Sequence, residues 1–186
     1  MSIDFRIPEL ETERLRMRLA RHSDLDALTE FRTSPRSKGV GGPYDPDTTF
    51  GYLERLIGQW HIRGYGRWIL TEKGSDTPLG LVGVYDDVAW PEPEIGWTMF
   101  EAGEGKGYAF EAATATRDYV YDTLGWTRII SSIMADNERS IQLAKRMGCT
   151  HSGDSFTIDG IGTLDIWVHP APELSLIHIS EPTRPY

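Results

Sequence analysis

After a strand-like run, "EIGWTMF" (Glu94 to Phe100), the chain sets Gly103, Gly105 and Gly107 at alternate positions. It then enters a stretch in which Ala109, Ala112 with Ala113, Thr116, Tyr119 with Val120, and Leu124 recur at helical spacing, with Gly125 placed as the stop. So much bare backbone directly before a helix restricts the fold more than any other feature. Unpaired N–H groups and the positive end of a helix dipole there form a cradle for a phosphate or pyrophosphate, and glycine lets the anion come close. A Walker loop is excluded, because Lys106 is followed by Gly107 rather than Ser or Thr. A Rossmann fingerprint also fails: the offset that needs Gly or Ala holds Tyr108 or Phe110.

The flanking segments supply a mixed sheet. "TERLRMRLA" alternates Leu15, Met17 and Leu19 with Arg14, Arg16 and Arg18, the period of a half-buried strand with its arginines outward. Ser23 or Asp24 starts a helix carried by Leu25, Leu28 and Phe31, which stops before Pro35. Residues 34–47 are a loop by their Gly and Pro content. Asp47 or Thr48 caps a second helix through Leu53, Leu56 and Trp60 that ends near Gly64. Three strands, "RWILTEK", "PLGLVGVYDDV" and "EIGWTMF", follow as an antiparallel meander. "TRIISSIMA" is a strand after the glycine-led helix, and Asp136–Gly148 a short helix burying Ile141, Ala144 and Met147. Asp159-Gly160 turns a last hairpin. The expectation is an α/β (α+β) fold with helices on both faces of a mixed, mostly antiparallel sheet.

At 186 residues, 39% of them hydrophobic, one domain over residues 1–172 is expected. Residues 173–186 lack a sustained pattern and are expected to be a non-native or disordered tail. A formal net charge of −9 argues against nucleic acid and suggests a cationic partner. No apolar run approaches a membrane span and the N-terminus is too charged for a secretory signal, so a cytoplasmic protein is expected. A single cysteine, Cys149, and unpaired histidines imply no disulfide and no metal.

The stretch Glu104–Ala109, "EGKGYA", resembles the pyrophosphate loop of the GNAT superfamily of N-acetyltransferases, in the form found in its ribosomal-protein-alanine (RimJ/RimL-type) branch. "NERSIQLAKRMGC" from Asn137 is similar to that branch's Asn-x-x-Ser and the helix that follows it. "ETERLRMR" and "EIGW" also match, so order and spacing agree from residue 9 to about 169. Glu104 departs from the pattern, standing where the family has Gln or Arg; a carboxylate there repels pyrophosphate unless it points away. The resemblance implies an acyl-CoA N-acyltransferase fold whose sheet splays between two parallel strands. It implies acetyl-CoA as donor, coenzyme A as product, and a primary amine as acceptor, either a protein N-terminus or a small molecule. The alternative is a non-catalytic acetyl-CoA sensor. Self-association as a homodimer is left open.

The implied cofactor-binding residues are Gly105, Lys106, Gly107, Tyr108 and Ala109 at the loop, Gly96, Trp97 and Thr98 on the splayed strand, and Asn137 with Ser140. A main-chain N–H around Gly96–Thr98 would serve the oxyanion. Glu94 is the expected base; its competing reading is an ordinary strand carboxylate or arginine partner, and Asp86, Asp87 and Glu92 are rivals. Ser140 would protonate the departing thiolate, or is simply a first-turn serine. Asn137 is most simply an N-cap, Tyr108 packs, and Cys149 belongs to the core. Trp90, in a polar loop, could contact the acceptor. Acceptor choice is assigned to residues 34–47 and 86–94.

Overall fold

A computed structural model describes residues 7–171. The expected tail at 173–186 lies outside the described residues.

Eight strands form one sheet in the order β1-β2-β3-β4-β5-β6-β8-β7. They are β1 (Leu10–Glu11), β2 (Leu15–Arg18), β3 (Arg67–Glu72), β4 (Gly80–Tyr85), β5 (Glu94–Met99), β6 (Ile130–Met134), β7 (Thr150–Ile158) and β8 (Gly162–Val168). All neighbours are antiparallel except β5 and β6. The helices are α1 (Leu25–Thr33), α2 (Pro46–Arg63), α3 (Tyr108–Asp118) and α4 (Glu138–Arg146).

Strand alternation divides the core in two. Ile69 and Leu81 face α1 and α2, joining Leu28, Phe31, Leu53 and Leu56. Their neighbours Trp68, Leu70, Val82 and Val84 point the other way, toward Ala112, Ala113 and Val120 of the α3 side and Ala144 of α4. Each such aliphatic side chain contributes about 1.5–3 kcal/mol over leaving it in water. Helices thus cover both faces, as the pattern of the strands demands. No described helix is long and apolar enough to cross a membrane.

Four local expectations need correction. Arg18 does not face solvent: it is 1% exposed and forms a bidentate pair with Asp24 at 2.7 and 2.8 Å, because β2 continues into a turn that folds Asp24 back onto it. The cap of α2 is Asp45 rather than Asp47 or Thr48; its carboxylate accepts from Thr48 N (2.8 Å), and Pro46 fills the first helical position, where a missing N–H has no consequence. Within residues 34–47, Pro35–Val40 form a 3-10 helix started by Ser34 rather than an irregular loop. Beyond Asp118, α3 widens into a π-helical turn over Tyr119–Thr123 before Gly125.

Candidate active site

The site exists because β5 and β6 separate. They share one bridge, Glu94 with Ile130, while β5 stays paired to β4 along its whole length and β6 to β8. Side chains close the apex. Ser132 N–H donates to the Glu94 carboxylate (2.7 Å), and the Ser131 hydroxyl donates to Ile95 O (2.7 Å) while contacting His169 Nε2 (2.9 Å). Past the apex, Gly96, Trp97 and Thr98 line a cavity of about 1160 Å³. A strand edge released from its partner offers backbone groups that an extended polar ligand can pair with.

One end of the cavity is the glycine loop. Gly105 (φ 73°) and Gly107 (φ 79°) are both left-handed, and Gly107 caps α3. A Cβ at Gly105 would meet no protein atom within 4 Å, so the dihedral rather than crowding requires glycine there. The loop is braced from behind. Arg14 donates to Lys106 O (3.0 Å) and pairs with Glu111 (2.6 Å), while Glu72 accepts from the Tyr108 hydroxyl (2.5 Å) and pairs with Lys106 (3.5 Å). The backbone of Gly105, Gly107, Tyr108 and Ala109 therefore borders the cavity, the Tyr108 ring is buried in the core, and the Lys106 ammonium is directed to Glu72 outside it.

Glu104 is not a bare charge. Its carboxylate pairs with Arg36, from the 3-10 segment, and with Arg139 of α4 (3.1 Å). The expected repulsion of an anion at the loop is thus opposed by two guanidiniums that the sequence alone did not associate with it.

On the strand side, Glu94 is 8% exposed and lines the cavity. Burial pushes its carboxyl above the usual carboxylate range, against the opposing pull of Ser132 and of Arg67 nearby. Its rivals are engaged elsewhere and do not line the cavity: Asp86 with Arg63 and the Tyr65 hydroxyl, Asp87 with Arg55, Glu92 with Arg128. Asn137 caps α4 by accepting from Ser140 N (3.2 Å). The Ser140 hydroxyl accepts from Trp97 Nε1 (3.1 Å), which leaves its own hydrogen to be donated. Trp90 lies edge-on to Tyr85 and Phe156 at the cavity wall. Cys149 is buried, and burial pushes its thiol up to about 11, far from thiolate chemistry.

Residues that the sequence reading passed over form the other end. Arg32 of α1 is stacked between the rings of Tyr44 (3.9 Å) and Tyr52 (3.8 Å), and Arg67 of β3 lies over Tyr85 (4.5 Å). Both arginines are buried and line the cavity. A signal for Arg32 was present: it falls on the stripe of Leu25 and Leu28, where an apolar residue belongs. Arg67 likewise shares a strand face with Ile69.

Comparison with known proteins agrees with this geometry. Residues 14–150 match the model of the acetyltransferase (GNAT) domain family. A crystal structure of an acetyltransferase from Agrobacterium tumefaciens is 35% identical, superimposes with a TM-score of 0.82, and matches 91% of this chain and 98% of its own. An uncharacterized N-acetyltransferase of Bacillus licheniformis, p20, is 26% identical over 77% of this chain and 83% of its own length. A ribosomal-protein alanine acetyltransferase from Vibrio fischeri shares the fold at 17% identity (TM-score 0.68, 89% and 98% covered).

Proposed function

Since this chain belongs to the GNAT acetyltransferase family, we propose that it transfers the acetyl group of acetyl-CoA to a primary amine by direct attack within a ternary complex. The observation that carries the proposal is the parting of β5 from β6 immediately after the Glu94–Ile130 bridge, which opens a strand edge leading to a glycine-capped helix N-terminus. In this reading the pyrophosphate lies on the N–H groups of Gly105, Gly107, Tyr108 and Ala109, with Lys106 contributing backbone only. The pantetheine arm pairs with the free edge of Gly96–Thr98 and passes Asn137.

Glu94 accepts a proton from the acceptor ammonium, directly or through water, and the freed nitrogen attacks the thioester carbon. A main-chain N–H of Gly96–Thr98 stabilises the oxyanion of the tetrahedral intermediate. The C–S bond breaks, the sulfur takes a proton from Ser140, whose hydroxyl is oriented by the Trp97 indole, and the proton shed by the attacking nitrogen restores the Ser140 hydroxyl, so amide and thiol both leave neutral. Burial of Glu94 favours this role, since a raised carboxyl is a stronger base once ionised. A sensor without chemistry is suited by an acidic Glu104 and by the lack of an obvious base; pairing of Glu104 with Arg36 and Arg139 weakens the first of these grounds, and the buried Glu94 at the cavity weakens the second.

A RimJ/RimL-type acceptor, a protein N-terminus, fits an open cavity of this kind, as does a small amine; a cytoplasmic setting suits either. The test is thiol release from acetyl-CoA with a panel of amines and peptide N-termini. Release dependent on amine supports transfer. Binding of acetyl-CoA in calorimetry with no amine-dependent release would reject transfer in favour of the sensor.

A further inference from the structure

Arg117 donates to Met147 O and Arg146 lies over the Phe110 ring, while most other arginines among the described residues have carboxylate partners, as in Arg14 with Glu111, Arg18 with Asp24, Arg63 with Asp86 and Arg128 with Glu92. Arg32 and Arg67 do not. Arg32 is 5% exposed and Arg67 is 9% exposed, and no carboxylate among the described residues forms an ion pair with either. Their Nε atoms are buried without any hydrogen-bond partner. Burial above all, with the neighbouring charges of Arg67 and Arg55, depresses the Arg32 guanidinium, against an opposing pull from Tyr52 and Tyr44. An arginine cannot escape this by losing its proton. Cation–π contact with tyrosines offsets part of the penalty, on the order of 1–2 kcal/mol each, against several kcal/mol for desolvating an unpaired ion.

The nearby acids do not supply the missing charge. Asp87 is held by Arg55 and accepts from the Tyr85 hydroxyl, and Glu94, one of whose oxygens accepts from Ser132 N–H, acts on Arg67 only from beyond ion-pair distance. Asp47 lines the cavity without forming an ion pair to either arginine. Both guanidiniums border the same cavity as Glu94: Arg67 stands in register with Gly83 and Gly96, three residues back along β5 from Met99 and the glycine loop that follows it, and Arg32 shares the Tyr52 ring with it. The cavity therefore holds two fixed positive charges, of which Arg67 is near enough to act on the base that would receive the acceptor's proton.

We propose that the acceptor amine carries an oxyanion group, a carboxylate or a phosphate, which Arg32 and Arg67 bind in the cavity they share with Glu94. This rests on the acetyl-transfer reading for the word acceptor, but the anion site stands on the two arginines alone. Paired guanidiniums suit oxyanions because their N–H forks match two oxygens at once, and the ligand's charge supplies what the fold withholds. The net charge of −9 is then a poor guide to the ligand: the surface is acidic, yet the cavity end is cationic.

The experiment compares amines that differ only in the anion, by thiol release from acetyl-CoA. The pairs are β-alanine and β-alaninamide, 4-aminobutyrate and its amide, O-phosphoethanolamine and ethanolamine, and C-terminally amidated Ala-Asp and Ala-Asn dipeptides. The first two pairs represent free amino acids, the third a phosphomonoester, and the last an acidic peptide. At least one acidic member should exceed its neutral partner in kcat/KM by about tenfold to a hundredfold, the scale of one or two hydrogen bonds to a charged group. In Arg32→Gln and Arg67→Gln that ratio should fall toward one. A second measurement needs no turnover: calorimetric binding of N-acetyl-β-alanine against its amide to the wild-type protein with coenzyme A present. Equal rates for acidic and neutral amines overturn the anion site and leave acetyl transfer standing. Selective binding of the acetylated acid without any thiol release supports the anion site and rejects transfer. Neither selective turnover nor selective binding overturns the anion site.

Discussion

Two pairs of arginines meet one cavity in opposite electrostatic circumstances. Near the glycine loop, Arg36 and Arg139 share the Glu104 carboxylate, so the chain neutralises its own charge. Arg32 and Arg67 instead have tyrosine rings against them and no ion pair, with Glu94 acting on Arg67 only from beyond ion-pair distance. Where a protein supplies the countercharge, the arginine serves the fold; where it withholds it, the charge is left for something that enters. Elsewhere the same contrast recurs in the interior, where Arg18 is as deeply buried as Arg32 yet locked bidentately to Asp24.

That contrast is most exposed to failure in stability measurements. Asp24→Ala removes the bidentate partner of the Arg18 guanidinium, which is 1% exposed, and leaves only the exposed Asp76 carboxylate at 3.6 Å, so it should lower unfolding free energy by about 3 kcal/mol in denaturant titration. Arg32→Met strands no carboxylate and removes an unpaired charge, so it should change stability by no more than about 1 kcal/mol in either direction. Equal losses for the two variants would mean that Arg32 is a structural residue like Arg18.

In catalysis, Glu94→Gln should lower kcat/KM by about 100-fold, the usual weight of a general base. Because burial raises the Glu94 carboxyl, wild-type kcat/KM should fall as pH drops through a range above that of an ordinary carboxylate, where the base becomes protonated. The variant should lack that limb and recover partly at high pH. A variant keeping wild-type rates at every pH removes Glu94 from the mechanism.

His169 sharpens the comparison, because a buried imidazole can shed the proton that a buried guanidinium must keep. Burial lowers His169 from 6.5 to about 3, so the folded state holds it neutral. A depressed histidine adds its full contribution above the unfolded value, and that contribution is lost as pH falls from 6.5 toward 3. Stability should therefore drop by about 1 kcal/mol between pH 6.5 and 5.5, and His169→Gln should flatten this part of the profile. A profile that His169→Gln leaves unchanged would show that the imidazole is not the group titrating.

The smallest effect belongs to the balanced end. Glu104→Gln frees Arg36 and Arg139 and should tighten acetyl-CoA binding by about 0.5 kcal/mol at low ionic strength, an advantage that added salt removes. Weaker binding instead would show that Glu104 acts chiefly by holding the two guanidiniums in place.

Much of the fold was legible because it follows from short-range rules. Alternation in β3 and β4, the helical spacing after Gly107, and the stop at Gly64 each depend on residues a few positions apart. The errors were also local contests. Asp45 prevailed over Asp47 as cap because Pro46 suits the first helical position, and Arg18 turned inward because Asp24 lay within reach of a tight turn. The glycine loop could be found from sequence because its requirement, two left-handed residues before a helix, is written in consecutive positions. The arginine end was legible only in fragments, Arg32 breaking an apolar stripe, since its parts lie on α1, the segment before α2, α2, β3 and β4.

By itself, then, the sequence determined a mixed sheet with helices on both faces and a helix N-terminus bared by glycines, because period, caps and turns act through neighbours along the chain. Only the tertiary structure decided which charges are answered. Whether Glu104 repels an anion or organises arginines, and whether Arg32 and Arg67 find a carboxylate, depends on distances between segments remote in sequence. Coulomb energy and desolvation are set by those distances and by the exclusion of water, neither of which a linear pattern encodes.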